Sequence, residues 1–419
     1  MLKLLDYIGF LLKTVVLFCF IYEFVLSAFP SSLLSSRKIA FVIMAVYFAL
    51  KRYSLRPLFS NKKYRNLLYL CIFCFLYVLV LCVINDGNGT TALSWYVYFP
   101  LYAIVGSFLC AGFFDWKYER VIKAIAIVTI FQAIWCMLTF YMDEFRVLND
   151  LLFVVDENEN IDFLRMTRLR SIGSAGSALS VCISLSSFSF LYFVIKGKNL
   201  LLNIFLYFFC NFATFLAGAT GVIISIIGLL VTLALSYKVG KRGVLIIALI
   251  PIFLFALYHS MGAILEDDQY RRLTEKLVDF YEGGMESGTF ETLENQRVSG
   301  VSLATIMGTG YSRGQVGSDY CFHDSGYIRN YFALGFIMAV VFYFFLYKTM
   351  WGLIKEIRGS SYFGLLAIMV LIIMVIEYKE PYIFYYFPVF IFNSLFFAAK
   401  ASIGGDIIVC YRNLVVKKR

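Results

Sequence analysis

Residues 67–84 read LLYLCIFCFLYVLVLCVI, a run without one charged side chain, glycine or proline. A helix on the surface of a soluble protein carries a polar stripe, and this run has none. It is preceded by the basic KKYRN (62–66) and followed by the polar NDGNG (85–89). About 20 apolar residues carry an α-helix across the ~30 Å hydrocarbon layer of a bilayer. The run is therefore read as a membrane span. Similar runs occur at 5–29, 39–50, 95–114, 120–142, 173–195, 199–217, 221–237, 243–260, 326–347, 362–378 and 382–399. The second is short and is expected to start earlier, within SSLLSSRK (31–38). The break at Gly218–Gly221 is the weakest, leaving open whether two spans or one kinked unit lie there.

The composition agrees. The 419 residues are 61% hydrophobic and 15% charged, with a mean hydropathy of +0.79. Soluble domains run to roughly 45–50% apolar and about 25% charged, so a soluble enzyme and a disordered chain are both excluded. The predicted fold class is an all-α polytopic membrane protein, one integral domain over 1–419, with about twelve transmembrane helices. The first run is longer than a signal-peptide core and lacks a small-x-small cleavage site, so it is expected to remain as the first span.

A net charge of +10 would point to nucleic acid in a soluble chain. Here the cations sit in short connections: 51–65, 196–198, 238–242, 355–358 and 417–419. With alternating spans these share one side, which the positive-inside rule makes cytoplasmic, together with both termini. Membrane lipid is the expected partner, and nucleic acid is not. The ten cysteines build no framework. Cys19, Cys82, Cys136 and Cys210 lie inside apolar runs. Cys71 and Cys74 form a C-x-x-C with no second pair and no histidine nearby, so both read as small buried hydrophobes. Cys321 is alone in a polar loop, which leaves it without a disulfide partner there.

The opposite side carries the two long connections, 143–172 and 261–325. Loops of this length beside short cytoplasmic turns indicate recognition or chemistry on the outer face. In the second, Leu265, Leu273, Leu277 and Phe280 recur at helical spacing and Asp268 precedes Arg272 by four, predicting an amphipathic surface helix over 265–282, broken at Gly283–Gly284. A second helix is predicted over Phe290–Ile306, ending at Gly308. The Gly-rich GTGYSRGQVGSDYCFHDSGY (308–327) follows.

Candidate site residues concentrate in these loops. Arg165, Arg168 and Arg170 crowd the entrance to one span, and Arg297 and Arg313 lie in the longer loop. Guanidinium groups bind phosphate through paired planar hydrogen bonds and keep their charge. Two readings stand: a pyrophosphate ligand, or salt bridges to Asp156, Glu157, Glu159 and Asp162. His323, beside Asp324, is suited to take a proton from a hydroxyl near neutral pH, or else is a loop histidine bonded to Asp319 or Asp324. His259 ends an apolar run and reads as a packed residue. Lys13 and Glu23 snorkel to opposite interfaces. Glu377 and Glu380 flank an outer turn, as caps or as an acid and base. Outer loops hold no Asp-x-Asp and the chain has no P-loop, so neither a metal nor a cofactor is expected.

In Arg297-VSGVSLATIM-Gly308-Thr-Gly310 an arginine precedes Gly-x-Gly just before a span, with ten residues between Arg and Gly. Arg165 to Gly176 repeats that spacing, and RSIGSAGSA (170–178) opens the following span. In this the chain resembles the Wzy-type O-antigen polymerases and the O-antigen ligases that share their core. The resemblance implies a GT-C-like fold with short helices in a long periplasmic loop, a Gram-negative inner membrane, and a metal-independent glycosyltransferase of lipopolysaccharide biosynthesis. It further implies an undecaprenyl-pyrophosphate-linked oligosaccharide as substrate, a chain-length regulator as a possible partner, catalysis near His323, and Gly176, Gly308 and Gly310 as loop-shaping positions.

Overall fold

The computed structural model describes residues 2–31, 34–85, 90–154, 170–236, 296–360 and 362–404. The predicted span at 243–260, the surface helix at 265–282, His259, Arg165 and Arg168 lie outside the described residues.

The described chain is mostly helical. Its helices are α1 (Leu2–Ile21), α2 (Ser36–Leu50), α3 (Arg56–Ser60), α4 (Lys62–Ile84), α5 (Thr90–Tyr98), a π-helical segment (Phe99–Gly106), α6 (Ser107–Phe113), α7 (Tyr118–Tyr141) and α8 (Asp143–Leu152). After a two-stranded hairpin, β1 (Arg170–Ser171) with β2 (Ser174–Ala175), come α9 (Gly176–Ile195), α10 (Leu200–Ala217) and α11 (Ala219–Ser236). The last part holds α12 (Leu303–Met307), the hairpin β3 (Gly314–Val316) and β4 (Asp319–Cys321), α13 (Gly326–Leu334), α14 (Phe336–Glu356), α15 (Phe363–Ile376) and α16 (Phe387–Ser402). Among the described residues, 7 helical stretches are long and apolar enough to cross a membrane.

In α4, Tyr64, Leu67, Cys71, Cys74, Val78 and Leu81 recur every third or fourth position and are buried, while Tyr69, Ile72, Phe73, Leu76, Val80 and Val83 are exposed. Both faces are apolar, as a lipid-facing helix requires. α9 is instead buried along nearly its whole length. Two of its serines are satisfied locally: Ser180 and Ser187 donate to the carbonyls of Ser177 (2.9 Å) and Ser184 (2.6 Å). Their small size admits close neighbours. A Cβ on Gly221 would lie 2.4 Å from the Ser180 carbonyl oxygen, so α11 packs backbone to backbone on α9. α10 and α11 are two helices in a tight hairpin at Gly218, with the Tyr207 hydroxyl donating to the Ser225 carbonyl (2.6 Å).

Contacts sort the connections into two ends. At one, Lys63 pairs with Glu356 (2.7 Å), Lys198 with Glu119 (2.8 Å), and Arg120 with Asp6 (3.0 Å) and Asp115 (2.9 Å). At the other, the Ser27 N–H donates to the Leu152 carbonyl (2.9 Å), Asn85 to the Thr309 carbonyl (2.9 Å), and the Gly326 N–H to the Glu377 carbonyl (2.9 Å). The described parts of both long connections, 143–154 with 170–172 and 296–325, lie at the second end.

Four expectations are corrected. The first span ends at Ile21, not 29, because Arg37 and Ser36 take over the helix's last carbonyls: Arg37 donates to Phe20 (3.0 Å) and Ile21 (3.4 Å), and Ser36 to Cys19 (2.8 Å). The run at 326–347 is broken at Gly335 (φ +80) and α14 continues to Glu356. Of the helix expected over 290–306, residues 290–295 lie outside the described residues, 296–300 are extended and Leu303–Met307 are helical. Ser302 and Thr305 form a reciprocal capping box that sets its start, each hydroxyl accepting the other's N–H (3.0 and 2.8 Å). The run at 382–399 becomes helical at Phe387, after a turn in which the Glu377 carboxyl accepts the Ile383 N–H (2.8 Å).

Candidate functional site

The second end holds a small sheet. β4 pairs with β3 on one edge, and on the other residues 297–299 add a third strand. The Ser299 N–H donates to the Tyr320 carbonyl (2.8 Å) and the Phe322 N–H to the Arg297 carbonyl (2.7 Å), with Val298 bridged to Cys321. The pairing joins Arg297, far back in the loop, to the segment carrying His323 and Asp324. Gln296 then donates to the Asp324 carboxylate (3.1 Å). The Cys321 thiol is buried, and burial pushes its pKa up, so it stays a packed thiol.

Gly308-Thr309-Gly310 acts as a cap. The Thr309 and Gly310 N–H groups donate to the Phe332 (2.9 Å) and Ala333 (3.0 Å) carbonyls, which the break at Gly335 leaves without helical partners. The backbone approaches so closely that a Cβ on Gly308 would meet the Leu334 carbonyl carbon at 2.5 Å. Gly176, the third predicted shaping glycine, has φ +54 where the β1–β2 hairpin enters α9. The backbone of Arg170 forms the first strand of that hairpin. Ser177, in the first turn of α9, donates to Glu380, which ties this entrance to the turn beside α13.

His323 bonds to neither Asp319 nor Asp324. Its Nδ1 accepts the Ser325 N–H (3.0 Å) at the start of α13. Burial lowers its pKa, and the adjacent Asp324 charge only partly opposes that. A neutral ring with Nδ1 occupied as acceptor carries its proton on Nε2, and so presents a donor. Asp324 is half exposed and has Arg313 Nη2 at 3.8 Å, a loose pair that contributes little. Arg297 is exposed, and no described carboxylate lies within ion-pair distance of it.

Arg329 in α13 escaped the reading of the sequence. It stands in YIRNYFAL, a cation inside an apolar run, and that misfit was the available signal. Its guanidinium lies over the Trp95 ring, 5.3 Å from the centroid, and its Nε is buried with no hydrogen-bond partner among the described residues. Glu377 is fully buried, and accepts from the Tyr343 hydroxyl (2.8 Å) as well as from Ile383. It is a structural link between α14, α15 and the turn.

The structure thus brings together Arg297, Arg313, His323, Asp324 and Arg329. Cations outnumber carboxylates in this group, and its donors face few acceptors. Such a rim can hold a polyanion and orient a hydroxyl beside it. No family model, curated protein or solved structure matches this chain.

Proposed function

We propose that the chain is a surface-polysaccharide polymerase of the O-antigen type. It transfers a glycan from undecaprenyl pyrophosphate to the non-reducing end of a second lipid-linked repeat unit. The observation that carries the reading is the cation-rich rim at the end of the bundle where the long connections gather, together with the Arg-x10-Gly pattern in both loops. In this proposal about twelve spans form a GT-C-like bundle in a bacterial inner membrane. The ion-paired end with both termini faces the cytoplasm, and the rim faces the periplasm.

The leaving group is a pyrophosphate, good once its charge is held. Arginines stabilise the charge that grows as the glycosidic bond breaks, as a divalent metal does in other transferases. The Asp324 carboxylate, only loosely paired with Arg313, takes the proton of the acceptor hydroxyl, and His323 donates from Nε2 to a neighbouring sugar oxygen. Prenyl chains lie against the apolar perimeter of the spans.

An O-antigen ligase would use much the same chemistry, and a lipid-linked oligosaccharide flippase would need similar charge recognition. One gel separates the polymerase from the other two. Loss of a polymerase leaves lipopolysaccharide core with a single repeat unit, whereas loss of a ligase or flippase leaves core alone. The same gel on Arg297→Ala and Arg170→Ala should show single repeats at normal protein level, with Lys only partly restoring long chains. Long chains retained in both Ala variants would remove the arginine role.

A further inference from the structure

Two half-buried or buried arginines in this protein invite comparison. Arg37 is a structural cation: it pairs with Glu23 (2.5 Å), donates to the Phe20 and Ile21 carbonyls, and lies over the Tyr102 and Tyr386 rings. Each part of its guanidinium is accounted for. Arg329 has a comparable aromatic platform in Trp95, held rigid by stacking on Phe384 at 4.4 Å. It lacks the rest. Among the described residues no carboxylate lies within ion-pair distance of it, its side chain makes no hydrogen bond, and its Nε is buried.

A second unpaired donor sits beside it. Ser325, the N-cap of α13, lies one helical turn before Arg329, whose backbone N–H donates to the Ser325 carbonyl (2.9 Å). The Ser325 hydroxyl is 1% exposed as a residue and has no partner among the described residues. The ionisable groups that act on Arg329 are Tyr385, Arg313, Cys321, Asp324 and Glu377. Glu377 is already engaged by Tyr343 and Ile383, and Asp324 by Gln296 and Arg313. Buried donors without acceptors are costly, and a fork of N–H groups beside a hydroxyl matches the oxygens of a phosphate.

We propose that Arg329, backed by Trp95 and joined by the Ser325 hydroxyl, is the anchoring ligand for a diphosphate group, with Arg313 and Arg297 as outer ligands. The inference rests on the functional reading above for its lipid-linked source, but not for the diphosphate chemistry. Arg329 is the inner contact because its platform fixes its direction, whereas Arg297 and Arg313 are exposed and adaptable.

The test uses the full chain in nanodiscs and three probes: farnesyl diphosphate, farnesyl monophosphate and inorganic pyrophosphate. Calorimetry should show farnesyl diphosphate bound more tightly than the monophosphate. Arg329→Ala should weaken it at least about tenfold and Arg329→Lys less, since a point charge keeps attraction without the fork. Arg358→Ala, at the opposite end, should leave binding unchanged. On the unaltered protein, phenylglyoxal modification of Arg329, followed by peptide mass spectrometry, should be slowed by farnesyl diphosphate. This arm decides the matter if Arg329→Ala does not fold. Undiminished affinity in a folded Arg329→Ala, or modification of Arg329 unaffected by the probe, overturns the proposal. Equal affinity for inorganic pyrophosphate would assign the site to free diphosphate and overturn the lipid-linked source. Protection of Arg329 without single-repeat lipopolysaccharide in the deletion strain would sink the polymerase reading and leave this site standing. The converse result would do the opposite.

Discussion

His323 shows how one hydrogen bond reassigns a side chain. Sequence position marks the ring as a base near a span, yet its Nδ1 is spent on the Ser325 N–H. Burial holds its pKa below the ordinary 6.5. The unfolded chain therefore takes up this proton at a higher pH than the folded chain does. Stability from the neutral ring is complete above the ordinary value and is lost as pH falls through and below it. His323→Asn keeps an acceptor for Ser325 but cannot titrate. Its unfolding temperature should match the parent's above pH 7 and fall less on acidification below about pH 6. Parallel curves for the two proteins would contradict the buried neutral ring. Arg37 and Arg329 make a related point. Both are cations at the edge of apolar runs, and only their partners distinguish a helix cap from an open ligand.

Among the elements, the crossing of Gly308–Gly310 with the α13–α14 break is the most demanding. Gly308 (φ +95) and Gly335 (φ +80) both sit in the left-handed region, and a Cβ on Gly335 would lie 2.2 Å from the Ile306 carbonyl oxygen. Gly308→Ala and Gly335→Ala should each destabilise by about 2–4 kcal/mol, from strain plus backbone clash. Gly314 (φ +113) faces open space, so Ala there should cost about 1–2 kcal/mol from strain alone. Gly300, with open space and no such φ, should tolerate Ala within about 0.5 kcal/mol. Chemical unfolding of the purified protein in detergent measures all four. A Gly308→Ala protein as stable as Gly300→Ala would mean that the cap does not form. The Arg-x10-Gly pattern thus contains two separable parts: a glycine that shapes the helix break, and an arginine brought near His323 by strand pairing.

At the scale of the molecule, the sorting of connections into two ends is itself testable. On a background with the cysteines replaced, Lys117→Cys and Arg358→Cys lie at the ion-paired end, and Ser318→Cys lies on the β3–β4 turn; all three native side chains are exposed. A membrane-impermeant thiol reagent added to intact inner-membrane vesicles of one orientation should label Lys117→Cys and Arg358→Cys together and Ser318→Cys oppositely. Labelling of Ser318→Cys with either of the others would refute the shared arrangement of ends. The aromatic interlock of Trp95, Tyr96, Phe99, Phe342 and Phe384 fixes the 377–386 turn against α5 and α14, and so holds the rim's inner wall.

The spans were legible in runs such as 67–84, because crossing a bilayer is a demand on local composition: each stretch must be long and apolar regardless of what it touches. Length and charge also set an expectation of which connections share a side, since alternation is arithmetic. Where helices stop was not legible at Ile21 or Gly335. Those ends depend on who satisfies the last carbonyls, and the donors come from Arg37, Thr309 or other residues distant along the chain. The site divides the same way. Arginine and histidine near a span could be picked out by type, but the pairing of the Arg297 backbone with Phe322, the meeting of Gln296 with Asp324, the tautomer of His323 and the open guanidinium of Arg329 arise from pairing across the fold, where hydrogen-bond partners are chosen by proximity in space.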